Sequence, residues 1–167
     1  MTRELVKRIG TRLTARAWRL AVAESATGGL LGHLITEVPG CSAFFWGGVI
    51  AYANEVKTRL LGVQEASLER WGAVSVQVAL EMAEGVRQAT HAQVALSITG
   101  IAGPTGATET KPLGLYYIAL AAPGERRCWR HHFPGNRHEN NQRAAKAALE
   151  HLARYLGIEA GLPSLGS

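Results

Sequence analysis

Three short polar segments of this sequence carry residues that can do chemistry, and each directly follows an apolar run typical of a strand. They are residues 24–29, 52–57 and 99–104, called here the first, second and third segments. The first contains Ser25, whose hydroxyl becomes a nucleophile only when a base removes its proton. If the three strands are parallel neighbours, all three segments lie at one edge of a sheet and line a single crevice.

Lys57 is the residue best suited to act as the base for Ser25. None of the six histidines falls in a segment assigned to the crevice, so a Ser-His-Asp triad is poorly supported. A partly desolvated lysine can have a pKa low enough to accept a proton, and Tyr52 could relay that proton or hold the lysine. From spacing alone a structural alternative is favoured, in which Ser25 caps a helix, Tyr52 is half-buried and Lys57 is solvated.

Two of the segments also suit an anion. Gly28 and Gly29 allow close backbone approach and precede a helix, whose first free N–H groups favour negative charge. The third segment can form an anion-binding nest or an oxyanion hole, although it matches neither a Walker motif nor GxGxxG. Which of the two binds a phosphate stays open. Lys111 and Arg137 are weaker phosphate candidates, and a solvated Lys111 is an equal alternative.

The order of the remaining patterns predicts a three-layer α/β/α sandwich with a mixed, mostly parallel central sheet and a C-terminal antiparallel hairpin. We expect one domain over residues 1–158 and a loose tail over 159–167. The predicted helices cover residues 3–17, 30–38, 54–61, 64–71, a stretch capped by Ser75, and a final one capped by Asn136 or Asn140; the predicted strands cover 18–23, 47–52, 94–98, 113–121 and 127–133.

Composition narrows the function classes. The chain has 167 residues, 47% hydrophobic and 19% charged, with no apolar run long enough for a membrane span and no apolar signal core, so we expect a cytoplasmic protein. Its net charge of +5 suits small anionic substrates. The basic cluster at 126–132 fits a solvated strand face, and no aromatic stripe or basic helix supports nucleic-acid binding. Cys41 and Cys128 lack metal-ligand spacing and are expected to be idle thiols.

Six segments together resemble the CinA C-terminal domain family. They are residues 23–29, 52–57, 72–75, 99–104, 111–114 and 133–137, in family order, and the resemblance covers roughly residues 4–156. It implies a nicotinamide mononucleotide deamidase (nicotinamide-nucleotide amidohydrolase) of pyridine nucleotide recycling, which hydrolyses the carboxamide to nicotinate mononucleotide and ammonia. It further implies an α/β/α sandwich, no metal or organic cofactor, a homodimer or larger assembly, and here the stand-alone form without the N-terminal molybdopterin-like domain.

The resemblance implies Ser25, Tyr52 and Lys57 as catalytic residues. The family often has cysteine where Ala26 stands, and one glycine and one acid of its loop are replaced within residues 103–111. The alternative is a non-catalytic nucleotide-binding domain with a regulatory role in competence or DNA-damage responses. The predicted substrate-binding residues are Glu24, Thr27, Gly28, Gly29, Asn54, Thr99, Gly100, Gly103, Lys111 and Arg137.

Overall fold

The computed structural model describes residues 1–159. The expected loose tail therefore lies outside the described residues, except for its first residue. The helices are α1 (Thr2–Ala15), α2 (Leu30–Thr36), α3 (Asn54–Leu61), α4 (Glu65–Trp71), α5 (Val76–Thr90) and α6 (Arg137–Tyr155), with a 3₁₀ turn at Cys41–Ala43; the strands are β1 (Leu20–Glu24), β2 (Phe45–Ile50), β3 (Val94–Gly100), β4 (Leu115–Ala122) and β5 (Glu125–His132). In residues 1–159 no helix is both long and apolar enough to cross a membrane.

The sheet has the strand order β2-β1-β3-β4-β5. Strands β2, β1 and β3 run parallel, whereas β4 and β5 form an antiparallel hairpin against β3. Every residue of β1 is buried, as expected for a strand with neighbours on both sides and helices on both faces. The predicted mixed sheet is confirmed, and the three polar segments follow three adjacent parallel strands.

Helices cover both faces of the sheet, which confirms the three-layer sandwich. Helices α1, α2 and α6 pack on one face around an aliphatic core that includes Val22 and Leu96. Helices α3, α4 and α5 pack on the other face, where β1 presents Ala21 and Ala23. Since side chains alternate across a strand, consecutive residues of β1 serve the two different layers.

Several helix and strand limits differ from the predicted ones. Asn54 was expected to cap α3, but Ala53 is the N-cap and no side chain caps this helix. Asn136, rather than Asn140, caps α6 through a capping box with Glu139. Strand β2 begins two residues earlier than predicted, because Phe45 already pairs with Leu20 of β1.

Other local predictions are confirmed. The register of β1 against β2 shifts after Leu20, which is the irregularity expected from the glycine pair of β2. A Cβ at Gly48 would lie 2.3 Å from the Val22 oxygen, so this glycine permits the close backbone approach. Cys41 and Cys128 are both free thiols. The basic cluster lies on β5, the outer strand, where its arginines are exposed.

Candidate active site

Backbone hydrogen bonds bring the three polar segments together at the carboxyl ends of β1, β2 and β3. The Ser25 N–H donates to the Ile98 oxygen at 2.9 Å, and the Ala51 N–H donates to the Glu24 oxygen at 2.7 Å. The start of the first segment is therefore fixed to both neighbouring strands. This arrangement is the crevice expected where parallel strands end in an open α/β sheet.

Lys57 and Ser25 are in direct contact in this crevice. The Lys57 Nζ donates to Ser25 Oγ at 3.1 Å and to the Tyr52 carbonyl oxygen at 3.0 Å. Only 1% of Lys57 and 9% of Ser25 is exposed. Lys57 lies in the first turn of α3, and long helical side chains point back toward the helix N-terminus, which directs this amine to the segment before the helix. The alternative of a solvated Lys57 is therefore wrong.

The surroundings of Lys57 destabilise its charged form. Burial lowers the pKa of the Lys57 amine below its usual value. Within residues 1–159 no carboxylate oxygen lies within 4.0 Å of its Nζ to offset that effect. A neutral amine next to a serine hydroxyl can accept its proton, so the pair has the composition and geometry of a Ser-Lys dyad.

Tyr52 contacts Lys57 through its backbone carbonyl rather than through its phenol. The side chain is 61% exposed, so the alternative of a half-buried tyrosine is wrong. The Arg137 guanidinium donates to the Tyr52 hydroxyl at 3.0 Å and to the Gly103 carbonyl at 2.9 Å. Arg137 thus bridges the second and third segments, and within residues 1–159 it has no carboxylate partner.

The Glu24 side chain accepts hydrogen bonds from the backbone at the N-terminus of α2. Its Oε2 accepts from Thr27 Oγ1 at 2.6 Å and from the N–H groups of Gly29 and Leu31 at 3.1 and 3.0 Å, while Oε1 accepts from the Gly32 N–H at 2.8 Å. The carboxylate is buried, with 1% of the residue exposed. A carboxylate is the favoured partner for these otherwise unpaired donors.

Several polar groups of the first segment are thus bound within the protein. The N–H groups at the start of α2 are not free for a substrate anion, because Glu24 accepts from them and the Gly28 N–H donates to the Ser25 oxygen. Glu24 and Thr27 bind each other instead of facing a ligand. A glutamate placed just before a glycine pair and a helix was the available signal for this internal cap.

Four backbone N–H groups of buried residues near the crevice have no acceptor among residues 1–159. They belong to Ala26 and Thr27 of the first segment and to Ala102 and Gly103 of the third, and all four residues are buried. Backbone N–H groups of buried residues are seldom left unpaired, so these donors are available to a ligand. Sequence reasoning missed the first pair because it assigned anion binding to the glycines that follow.

The remaining predicted binding residues differ in where they point. Thr99 is buried and donates to the Ala73 oxygen at 2.9 Å, which attaches the end of β3 to the connection between α4 and α5. Lys111 donates to the Trp71 oxygen, which attaches the loop after β3 to the end of α4. Partial burial lowers the pKa of Lys111. Asn54 is exposed. At Gly100 a Cβ would lie 2.3 Å from the Tyr116 ring, which gives this glycine a packing role.

A cavity of about 410 Å³ extends from Arg137 along the third segment, within the usual size range of small-molecule sites. The described residues, 1–159, contain no cluster of three or more His, Cys or Glu residues arranged to hold a metal ion. The cavity is lined by Ala102, Gly103, Pro104, Leu113, Gly135, Asn136, Arg137 and His138.

Comparison with known proteins identifies relatives along nearly the whole chain. The model of the CinA C-terminal domain family matches residues 2–156. A putative competence-damage inducible protein of Halothermothrix orenii is 50% identical over 149 residues, which are 89% of this chain and 36% of the relative. A CinA-like protein of Gemmatimonas aurantiaca is 52% identical over 147 residues, 88% of this chain and 34% of the relative. The chain thus spans about a third of the length of these curated relatives.

Solved structures share the fold. A CinA superfamily protein of Klebsiella pneumoniae superimposes with a TM-score of 0.90 at 32% identity, covering 95% of this chain and 99% of the other. The competence/damage inducible protein CihA of Agrobacterium tumefaciens gives 0.86 at 37% identity, covering 93% and 95%.

Proposed function

This chain belongs to the CinA C-terminal domain family, and we propose that it hydrolyses the carboxamide of nicotinamide mononucleotide to nicotinate mononucleotide and ammonia. One observation carries the proposal: a buried lysine amine, without a carboxylate partner in residues 1–159, donates to the hydroxyl of a buried serine. Perturbed lysines of this kind are typical of catalytic sites rather than of structural ion pairs.

Ser25 and Lys57 divide the reaction into two steps. Lys57 takes the hydroxyl proton as Ser25 Oγ bonds to the amide carbon, and the tetrahedral intermediate then expels ammonia, which receives its proton from Lys57. This leaves an ester on Ser25. Lys57 next takes a proton from water as that water attacks the ester, and returns it to Ser25 Oγ when nicotinate mononucleotide leaves. The Tyr52 carbonyl accepts an N–H from the lysine and so holds the amine beside Ser25 Oγ.

The unpaired backbone donors have two roles in this proposal. The N–H of Ala26, directly after the nucleophile, donates to the oxyanion of the tetrahedral intermediate. Arg137 and the N–H of Gly103 bind the substrate phosphate, supported by the lack of a carboxylate partner for that guanidinium in residues 1–159. The Tyr52 phenol, hydrogen-bonded to Arg137, lies beside the phosphate rather than relaying a proton.

Ammonia release from nicotinamide mononucleotide tests the proposal. The wild-type protein should release ammonia, and Ser25→Ala should lower kcat by more than about a thousandfold, as removal of a nucleophile does. Ser42→Ala is the matched control, because Ser42 is an exposed serine outside the three segments, and it should behave as wild type. An inactive wild type, or an active Ser25→Ala variant, would contradict the mechanism. Calorimetric binding without ammonia release would instead support a regulatory, nucleotide-binding domain.

We also propose that the chain forms a homo-oligomer. Strand β2 is an outer strand of the sheet, and it and the adjacent α3 expose the large apolar residues Trp46, Ile50 and Leu60 by more than half. Large apolar residues exposed in this way are typical of interaction surfaces. Light scattering should therefore give a mass of at least two chains, and Trp46→Glu should lower it; a monomeric wild type would contradict this proposal.

A further inference from the structure

We propose that Asn140 is a positioning residue that directs the Gly103 N–H toward an anionic ligand; the identity of that anion as the substrate phosphate rests on the proposed function. Asn140 lies near the start of α6 and is 1% exposed. Its Nδ2 donates to the carbonyl oxygens of Ala102 at 3.2 Å and Gly135 at 2.8 Å, and its Oδ1 accepts from the Gly135 N–H at 2.9 Å. Both of its amide N–H groups are thus engaged.

These contacts fix the orientation of one peptide group. The peptide between Ala102 and Gly103 is trans, so its C=O and N–H point in opposite directions. Since the Ala102 C=O is held by Asn140, the Gly103 N–H points away from Asn140. That N–H belongs to a buried residue and has no acceptor among residues 1–159.

The next carbonyl along the chain is held by the same helix. Arg137 donates to the Gly103 oxygen at 2.9 Å, and residues 137 and 140 are three apart, on one face of α6. Two consecutive carbonyls of the third segment are therefore attached to one turn of α6. This attachment holds the Arg137 guanidinium and the Gly103 N–H in one fixed arrangement. The first is a charged and the second a neutral hydrogen-bond donor for an anion.

Only an amide side chain suits this position. Aspartate has the same shape, but it offers acceptors to the two carbonyl oxygens that Asn140 now binds. Leucine has a similar volume and no charge, but it leaves both carbonyls without a donor. Either substitution releases the Ala102–Gly103 peptide. Asn141→Asp is the matched control, because Asn141 uses its Oδ1 to accept from the Tyr116 hydroxyl at 2.7 Å, and a carboxylate keeps that acceptor.

A titration with inorganic phosphate, followed by the amide resonance of Gly103 in ¹H–¹⁵N spectra, tests the inference without using catalysis. In the wild-type protein the resonance should shift saturably. In Asn140→Asp and Asn140→Leu the apparent Kd should rise at least about tenfold, which corresponds to about 1.4 kcal/mol. Asn141→Asp should resemble wild type, although it adds the same charge one residue away.

Three results would overturn the inference. They are a Gly103 resonance that does not respond to phosphate in wild type, an Asn140→Leu protein that binds phosphate normally, and an Asn141→Asp protein that loses as much affinity as Asn140→Asp. With nicotinamide mononucleotide, Asn140→Leu should raise KM about tenfold and leave kcat nearly unchanged, because phosphate contacts stabilise ground and transition states alike. A wild type without deamidase activity refutes the proposed function, while the phosphate titration still decides the role of Asn140.

Discussion

Glu24→Gln is the substitution that most directly tests how the segment carrying Ser25 is held. The carboxylate accepts from three donors at Oε2 and from the Gly32 N–H at Oε1. Glutamine in the same position can offer its oxygen to only one of these two groups. If the glutamine oxygen accepts from the three donors, its NH₂ group faces the Gly32 N–H, and two donors then oppose each other. If the NH₂ group faces the three donors instead, three hydrogen bonds are lost.

The expected loss of stability follows from the less damaging orientation of the glutamine side chain. One hydrogen bond to a charged acceptor contributes about 1.5–3 kcal/mol. Loss of the negative charge at the N-terminus of α2 costs a further 0.3–1 kcal/mol or so, on the order of the usual helix-dipole effect. We therefore expect the free energy of unfolding to fall by about 2–4 kcal/mol in Glu24→Gln, with Tm lower by roughly 2–4 °C for each kcal/mol.

Urea unfolding at pH 7 measures this change. Glu37→Gln is the matched control, since Glu37 follows α2 at its other end and forms an exposed ion pair with Arg3. Exposed pairs contribute about 0–1 kcal/mol, so the control should stay within about 1 kcal/mol of wild type. Equal effects of the two substitutions, or a loss below about 1 kcal/mol in Glu24→Gln, would refute the reasoning that the buried carboxylate holds this segment.

Three further predictions concern other parts of the molecule. Lys57→Met should abolish ammonia release without lowering the free energy of unfolding, because burying an amine is costly; a large loss of stability would show that the lysine is structural. Gly85→Ala should destabilise by about 1–3 kcal/mol although alanine favours helices, since its Cβ would lie 1.8 Å from the Leu61 oxygen; a stabilised variant in urea unfolding would contradict this. Burial, with His131 next to it at 2.8 Å, lowers the pKa of His151 to about 4, below its value in the unfolded chain. The unfolded chain thus binds the proton more readily, so this group should reduce stability as the pH falls from 7 to 5, and His151→Asn should lessen that pH dependence.

Backbone topology was predictable from the sequence, and so was the gathering of the three polar segments at one edge of the sheet, whereas spacing alone favoured a solvated Lys57 over its contact with Ser25. Apolar runs followed by polar residues located the strand ends, and parallel neighbours necessarily place those ends together. The direction of individual side chains was not predictable, because it depends on partners far away in sequence. The Tyr52 hydroxyl turns toward Arg137, which lies 85 residues away. Likewise, Glu24 reaches the N–H groups of α2, although its place before a glycine pair and a helix was a signal for this contact.

The boundaries of β2 and the cap of α3 escaped prediction for a related reason. Asn54 has a strong intrinsic preference for capping, worth about 1 kcal/mol, but it is already the first residue of α3 and Ala53 is the N-cap. The turn that begins there carries Lys57, whose amine contacts Ser25 and the Tyr52 carbonyl.

The alanines beneath α5 have a consequence for how this protein can change over evolution. On that face α5 contributes Ala79 and Ala83, and the strands β1, β3 and β4 contribute Ala21, Ala23, Ala95, Ala119 and Ala121. These small residues let α5 lie close to the strands at these positions, so a larger side chain at any of them would overpack the interface. On the opposite face the strands present mainly leucine, isoleucine and valine, while α6 contributes alanines beside Leu149 and Leu152. Substitutions at these seven alanines should therefore be rarer than exchanges among the aliphatic residues that the strands present on the opposite face.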